Sequence, residues 1–597
     1  AQLGFSSGNG ITAVNSGFNA IENCHILNAP DVACSQDDKS VFDGLKYGIY
    51  AENFYTTPIK VRNCVFNNYR NIGVFIKSAT APVITTNTFS NPVGSGGMAK
   101  TAGLYLQGCS AYKIENNTFY DGAIGMVINN SGPNANKVYR NHFNSPNQGL
   151  HAYYTNSNTD GSLGLFIQCN DYHNNNGVQN FIKDGNVKKQ QGYHDPIFPL
   201  LSESAANQFE ITNLVTNSQS AFRVSTENSF NYKYWCNMPG DLTDITGFTS
   251  DNVNVQPTLL LFDQNTCPSK LGPVAVAYER EISRRKTEIT SLNDNMDDIV
   301  DGGNTAQILQ KVQNLKPNNF NKTCNELLNL SPYLSDTVLV TYMQTGVNGH
   351  VVAKTNVLAA NSPLPPHALA ELENMDLPAP HKNYLAQMQT GTNAVVLLKE
   401  EIGNIEFNKN LYINEYVSHG LNNDSIPMVK DSVVNFLMND DYFESKCIVI
   451  PILISDARYV DAQTQINELD YLASNQNPIL QAELSEFAEL QKLIIKIDTT
   501  RTTESLLNIV ENNLTLLESM AYNPSHRGSS VAQILLSEAG IAEFEPEIFL
   551  PMEDRSMRFS IAQEGIAENF NLNDIIEVYP TPANSEIWIE YLLIEAK

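Results

Sequence analysis

The chain has 597 residues, 42% of them hydrophobic, so it holds several cores and is not a disordered polymer. A net charge of −27 sets it against nucleic acid and anionic membrane surfaces, and no apolar run approaches the roughly eighteen residues of a membrane-spanning helix. The 9 cysteines show no Cys-x-x-Cys or Cys/His cluster, so neither a metal nor a cofactor is expected.

The charge is uneven. Residues 1–190 carry 13 Lys and Arg against 11 Asp and Glu, while the remainder carries 24 against 53. The first residues hold neither a start Met nor a basic-then-apolar signal region, and Gly8-Asn9-Gly10-Ile11 reads as the inside of a repeat. The expectation is a processed piece of a longer precursor.

Six segments repeat one pattern, with a small residue or Asn two positions before an aromatic or Ile. They are Asn23-Cys24-His25-Ile26, Asn63-Cys64-Val65-Phe66, Thr86-Asn87-Thr88-Phe89, Asn116-Asn117-Thr118-Phe119, Arg140-Asn141-His142-Phe143 and Cys169-Asn170-Asp171-Tyr172. Ahead of most of them runs Gly48-Ile49-Tyr50, Gly73-Val74-Phe75, Gly103-Leu104-Tyr105, Gly125-Met126-Val127 or Gly149-Leu150-His151. These glycines lie 25, 30, 22 and 24 residues apart by subtraction. Such a period is one turn of a solenoid of short strands, in which each coil must stack on neighbours to bury its apolar face. Ile49, Val74, Leu104, Met126 and Leu150 should stack inward, the aromatics should form a second inward stack, and the Asn residues should ladder from coil to coil. The glycines are expected at bends with positive φ, and Asp31 to Asp43 in an inserted loop.

On these motifs, residues 10–192 resemble the right-handed parallel β-helix repeats of pectate-lyase-like proteins and of large secreted proteins of Bacteroidetes-type bacteria. The phrase from Gly164 to Tyr172 is similar to a recurring last-coil phrase of the latter group.

Residues 193–272, rich in Asn, Thr, Ser and aromatics, read as a β-rich cap, with Cys236 and Cys267 placed for a disulfide if the chain is exported. From 273 to 540 the apolar period becomes helical, as in Val274–Asn293, Leu385–Ile405 and Ile479–Ile497. Ser331-Pro332 and Ser362-Pro363 look like repeated helix entries, giving a bundle or short array of helical hairpins. Residues 541–574 read as an acidic linker and 575–597 as a β segment. There Tyr579, Pro580, Pro582, Ala583 and Asn584 resemble the opening of the C-terminal sorting domain of type IX secretion substrates, with Thr581 as a departure. That resemblance implies export to the cell surface, outer-membrane association, and the type IX machinery or its outer-membrane shuttle as a partner. Asp336-Thr337-Val338, Asp424-Ser425-Ile426 and Asp431-Ser432-Val433 are similar to O-glycosylation sites of exported proteins in that phylum.

Hydrolases and lyases on β-helices need paired carboxylates, or a base beside an acidic Ca²⁺ site, projecting from one face. Alternation along the Gly-led strands points Tyr50, Phe75, Tyr105, Val127 and His151 outward, followed two positions on by Glu52, Lys77, Gln107, Asn129 and Tyr153. That face offers one carboxylate, one Lys and one His on three coils, so no catalytic residue is assigned. Tyr50, Phe75, Tyr105, Gln107, Asn129, His151 and Tyr153 instead suit a glycan, rings stacking on sugar faces and amides bonding hydroxyls; the alternative is that something covers them. The expectation is therefore a multidomain, extracellular structural or adhesion protein whose β-helix face binds a surface or environmental polysaccharide, and not an enzyme. Two alternatives stand beside it. One is a polysaccharide lyase or hydrolase whose site lies partly outside this chain. The other is a protein-docking helical module on a β-helix stalk.

Overall fold

The computed structural model of the protein describes residues 8–549, apart from 21–38, 92–99, 145–147, 174–177, 194–202, 210–219, 225–231, 239–252, 262–266, 272–276, 346–349, 390–391, 423–426 and 501–504, together with 576–579 and 588–591. Three parallel sheets form the N-terminal part, each coil giving one strand to each sheet. Sheet A stacks Ile11–Val14, Tyr47–Glu52, Ile72–Lys77, Ala102–Gln107, Ile124–Asn129, Gln148–Thr155, Val178–Asn186 and Ser220–Val224. Sheet B carries the strands that follow the first turn of each coil, and sheet C those that follow the second. The inward rungs are in register: Ile49 pairs with Val74, Val74 with Leu104, Leu104 with Met126 and Met126 with Leu150, all fully buried.

Between sheets B and C runs the Asn ladder. Asn87 donates from both its backbone N–H and its Nδ2 to Oδ1 of Asn117, each at 3.0 Å. Asn117 does the same to Asn141, Asn141 to Asn170, and Asn170 to Asn207, at 2.9–3.1 Å. Beside it the rings of Phe42, Phe66, Phe89, Phe119, Phe143, Tyr172 and Phe209 stack with centroids 4.7–5.0 Å apart. That spacing is the hydrogen-bonded distance between strands, so each ring lies at the repeat of its own coil.

The repeat glycines do a different job from the one expected. Gly48, Gly73, Gly103, Gly125 and Gly149 lie inside sheet A strands and do not have positive φ. A Cβ on Gly103 would meet the Phe119 ring at 2.8 Å and the Gly125 carbonyl oxygen at 2.7 Å, so the stack of rings requires glycine there. Positive φ falls instead to Thr86, Asn116, Arg140, Cys169 and Ala206, each directly before a ladder Asn. Phe42, within the strand Val41–Asp43, joins the ring stack beside Phe66. Asp43 is therefore in a strand; Asn23-Cys24-His25-Ile26 and Asp31 to Asp38 lie outside the described residues.

Residues beyond 192 continue the helix more than they cap it. Gln208–Phe209, Ser220–Val224 and Tyr232–Met238 pair in parallel with the preceding coil, and Val253–Leu261 adds a further parallel strand. Cys267 is bonded to Cys169, not Cys236, tying this segment back to sheet B's edge across a separation of 98 residues.

Helices then follow: α1 (Tyr278–Ile299), α2 (Thr305–Gln313), α3 (Phe320–Leu330), α4 (Asp336–Gln344), α5 (Val351–Ala360), α6 (Pro366–Asn374), α7 (Ala379–Gln387), α8 (Ala394–Asn422), α9 (Pro427–Asn439), α10 (Phe443–Ser455), α11 (Tyr459–Ala473), α12 (Pro478–Thr500), α13 (Leu506–Glu511), α14 (Leu514–Ala521) and α15 (Ser529–Glu538). From α2 to α7 they form hairpins in two layers, α2 on α4 on α6 and α3 on α5 on α7, around a core of their own. Ser331-Pro332 and Ser362-Pro363 precede the helices they announce; Ser335 caps α4, its hydroxyl accepting from the Val338 N–H, and Pro365 stands at the start of α6. Leu385–Ile405 is two helices, since α7 ends at Gln387 and Asn393 caps α8 through the N–H groups of Val395 and Val396.

The helices from α8 onward share a second core that takes in Phe54, Ala81 and Ala111 from the turns of the β-helix. In α10, Cys447–Ile450 and Ile452–Ile454 are buried, as suits a helix surrounded by others. Ala1–Ile548 make one compact unit, so residues 541–548 are not a free linker. In the second unit Ile576–Tyr579 and Trp588–Tyr591 form an antiparallel pair, Ile576 opposite Tyr591.

Asn117→Leu is expected to lower stability by about 3 kcal/mol, because it leaves buried partners in two coils without hydrogen bonds. Urea unfolding followed by far-UV circular dichroism checks this, with Thr118→Ser, half-buried at the start of the strand that follows, expected to stay within about 0.5 kcal/mol.

Candidate functional site on sheet A

The outward residues of sheet A lie in one field. Strand register sets Tyr50 beside Phe75, Phe75 beside Tyr105, and Val127 beside His151; one step on, Glu52, Lys77, Gln107, Asn129 and Tyr153 follow in the same order. Parallel pairing thus brings together every residue expected there.

It does not leave them open. Phase alternation alone cannot say what meets an outward side chain, and here α15 and the segment Ile541–Ile548 lie on it. Gln107 donates to Gln533 of α15 at 2.9 Å, Asn15 to Glu538, and Asn130 to the His526 carbonyl at 3.0 Å. Gly108, at a positive φ of 61°, faces Ser530 so closely that no Cβ would fit. The Tyr105 hydroxyl donates to the Glu547 carbonyl at 2.9 Å and the Tyr154 hydroxyl to the Glu547 carboxylate at 2.6 Å. Phe75, Tyr105, His151 and Tyr153 are at most 1% exposed, and Asn129 is buried; Tyr50 and Gln107 are half-buried.

The polar groups satisfy one another. His151 Nδ1 lies 2.9 Å from the Tyr153 hydroxyl and Nε2 lies 2.8 Å from Gln148 Oε1. Burial holds the imidazole neutral, its pKa pushed down to about 3. Asn129 Nδ2 donates to the Tyr105 hydroxyl at 2.9 Å, and the Tyr50 hydroxyl donates to Glu52 at 2.5 Å. Burial, then that carboxylate, push the Tyr50 phenol upward. Lys77 is 3.9 Å from Glu52, and burial lowers its pKa to about 8 against the pull of the carboxylate. Glu52 is the single carboxylate on the two outward rows, and among the described residues no three His, Cys, Asp or Glu side chains gather as a metal site.

Residues 10–166 match the family model of the right-handed β-helix region. No curated protein and no solved structure matches the chain. The right-handed β-helix is therefore the identified part, with sheet A as one of its three long faces. Among the described residues no helix is long and apolar enough to cross a membrane.

The covering residues Gln533, Glu538, Phe544 and Glu547 were not legible as partners of the stripe. The one sequence signal near them was the acidic, aromatic composition of residues 543–547, which reads equally as a linker. Of the tail motif, Tyr579 ends the strand Ile576–Tyr579, while Pro580, Pro582, Ala583 and Asn584 lie outside the described residues.

The His151 ring gives the site a pH signature. Its unfolded form titrates near ~6.5, its folded form at about 3, so between these values the unfolded chain binds the extra proton. Stability from this group is full above the upper value and is lost as pH falls towards the lower one. His151→Gln should remove that loss, up to about 1.4 kcal/mol per pH unit. The gap between the urea midpoints of wild type and variant should therefore narrow between pH 7 and pH 4.5.

Proposed function

We propose that this is a secreted, cell-surface structural or adhesion protein in which the β-helix serves as a rigid shaft and the helical hairpins α2–α7 dock a protein partner. The observation that carries the reading is the closed face: the side chains best suited to a sugar are held beneath α15 and residues 541–548. A covered stripe favours the stalk over the lectin. A hydrolase or lyase would need an open groove with paired acids, and the two outward rows carry Glu52 alone.

The hairpin array supports docking by its geometry. Stacked helix pairs present an extended surface made of successive like elements. Along its edge a cleft of about 620 Å³ opens where α2, α4 and α8 begin, lined among others by Asp297, Ser335, Asp336, Asn393, Val396 and Lys399. For the location, the Cys169–Cys267 disulfide suits an oxidising environment, as outside the cytoplasm. The tail motif from Tyr579 to Asn584 adds the type IX machinery as the partner for export. Thr337 and Ser432, in the triplets resembling glycosylation sites, are exposed on α4 and α9.

In native gels containing acidic or neutral polysaccharides the chain should migrate as it does without them. Retardation would favour a lectin, and cleared polymer tracks an enzyme; either would overturn the reading. Protein recovered from outside cells, denatured and alkylated without reductant, should leave Cys169 and Cys267 unmodified while Cys64, Cys109, Cys324 and Cys447 react. Peptide mass analysis reads this directly, and free thiols at 169 and 267 would count against export.

A further inference from the structure

The segment that closes sheet A has the form of a bound peptide. Residues 541–548 belong to neither helix nor strand, yet their side chains alternate: Glu543, Glu545 and Glu547 are exposed, while Phe544 and Pro546 are half-buried and Ile548 is buried. Period-two alternation is what an extended chain shows when one side lies on a surface. The surface beneath is specific. The Phe544 ring lies 5.7 Å from the Lys77 ammonium and packs on Tyr522, with centroids 5.5 Å apart. Glu547 is held at both ends, its carbonyl by the Tyr105 hydroxyl and its carboxylate by the Tyr154 hydroxyl. Glu52 offsets the charge of Lys77, so the ring contact and the two tyrosine hydrogen bonds, more than net charge, select the occupant.

We infer that the outward face of sheet A is a binding site for an extended peptide bearing one aromatic side chain and a glutamate three residues after it, and that residues 543–548 fill it in cis as a latch. The latch fastens the helical region over the β-helix, and its release uncovers Lys77, Tyr105 and Tyr154, the part of the stripe it covers. A tethered segment acts at an effective concentration on the order of millimolar, which excludes a free competitor until the tether's own contacts are weakened.

The test uses the full chain and a fluorescent peptide with the sequence of residues 541–549, read by polarisation. Wild type should show little binding, because the site is filled. Phe544→Ser in the full chain should bind the peptide at least about 10-fold more tightly than wild type. Adding Tyr105→Phe and Lys77→Met to that variant should lower the affinity again by about 10-fold, and a scrambled peptide should not bind. Should Phe544→Ser fail to fold, Glu547→Lys at an exposed position carries the same comparison. Absence of peptide binding by a folded latch variant overturns the inference, as does binding that the Tyr105 and Lys77 changes leave untouched.

Discussion

The separation of hydrogen-bonded strands, about 4.8 Å, is the constraint on which the rest of the molecule depends. Aromatic rings can stack face on face at nearly that distance, and the seven-ring column does so with centroids 4.7–5.0 Å apart. An Asn side chain reaches the next coil at the same repeat and bonds both its backbone and its amide. Once rings occupy the core at each coil, the facing strand must come close enough that only glycine fits. Gly48, Gly73, Gly103, Gly125 and Gly149 follow from Phe66, Phe89, Phe119, Phe143 and Tyr172. At Asn141 and Asn170 the side-chain amide also donates across the left-handed residue before it, to the carbonyls of Tyr139 and Gln168.

A column so regular presents long faces, and two of its surfaces receive the helical region. Helix α8 lies along the turns as a strut. Its Asn422 bonds the Ala81 carbonyl, Asn414 bonds the Ala135 carbonyl, Phe407 meets Phe166, and Glu400 pairs with Lys233. From 400 to 422 a helix rises roughly 33 Å, close to the height of the half-dozen coils it passes, so these contacts recur along most of its length. The second surface, the outward side of sheet A, takes α15 and the segment beyond it.

Helix α15 is aimed by a buried charge cluster at its start. Arg527 makes two hydrogen bonds to Glu444 of α10, at 2.7 and 2.9 Å, and approaches Glu483 of α12 at 3.3 Å. The neighbouring His526 lies 2.7 Å from Glu486 and offers its carbonyl to Asn130. Removing either partner would leave a buried charge unpaired, so the pair ties the start of α15 to α10. From there α15 and the residues after it lie across the sheet.

The sequence by itself determined the β-helix: ring, Asn and Gly recur with the coil because each must meet its own kind in the next coil, and that demand is local to the repeat. It also placed the outward stripe, since side-chain direction alternates along a strand whatever lies beyond. The helical region was readable from its period, and its hairpin character from the paired Ser-Pro segments. Only the tertiary structure showed that Phe42 joins the ring column beside Phe66, because its segment lies outside the regular spacing of the repeat. Only it paired Cys169 with Cys267. Above all, only it closed the stripe. Tyr105 and Glu547 stand 442 residues apart and Gln107 and Gln533 stand 426 apart, and neither pair belongs to any repeat. Such contacts join segments far apart in the chain, and no periodicity along it encodes their meeting.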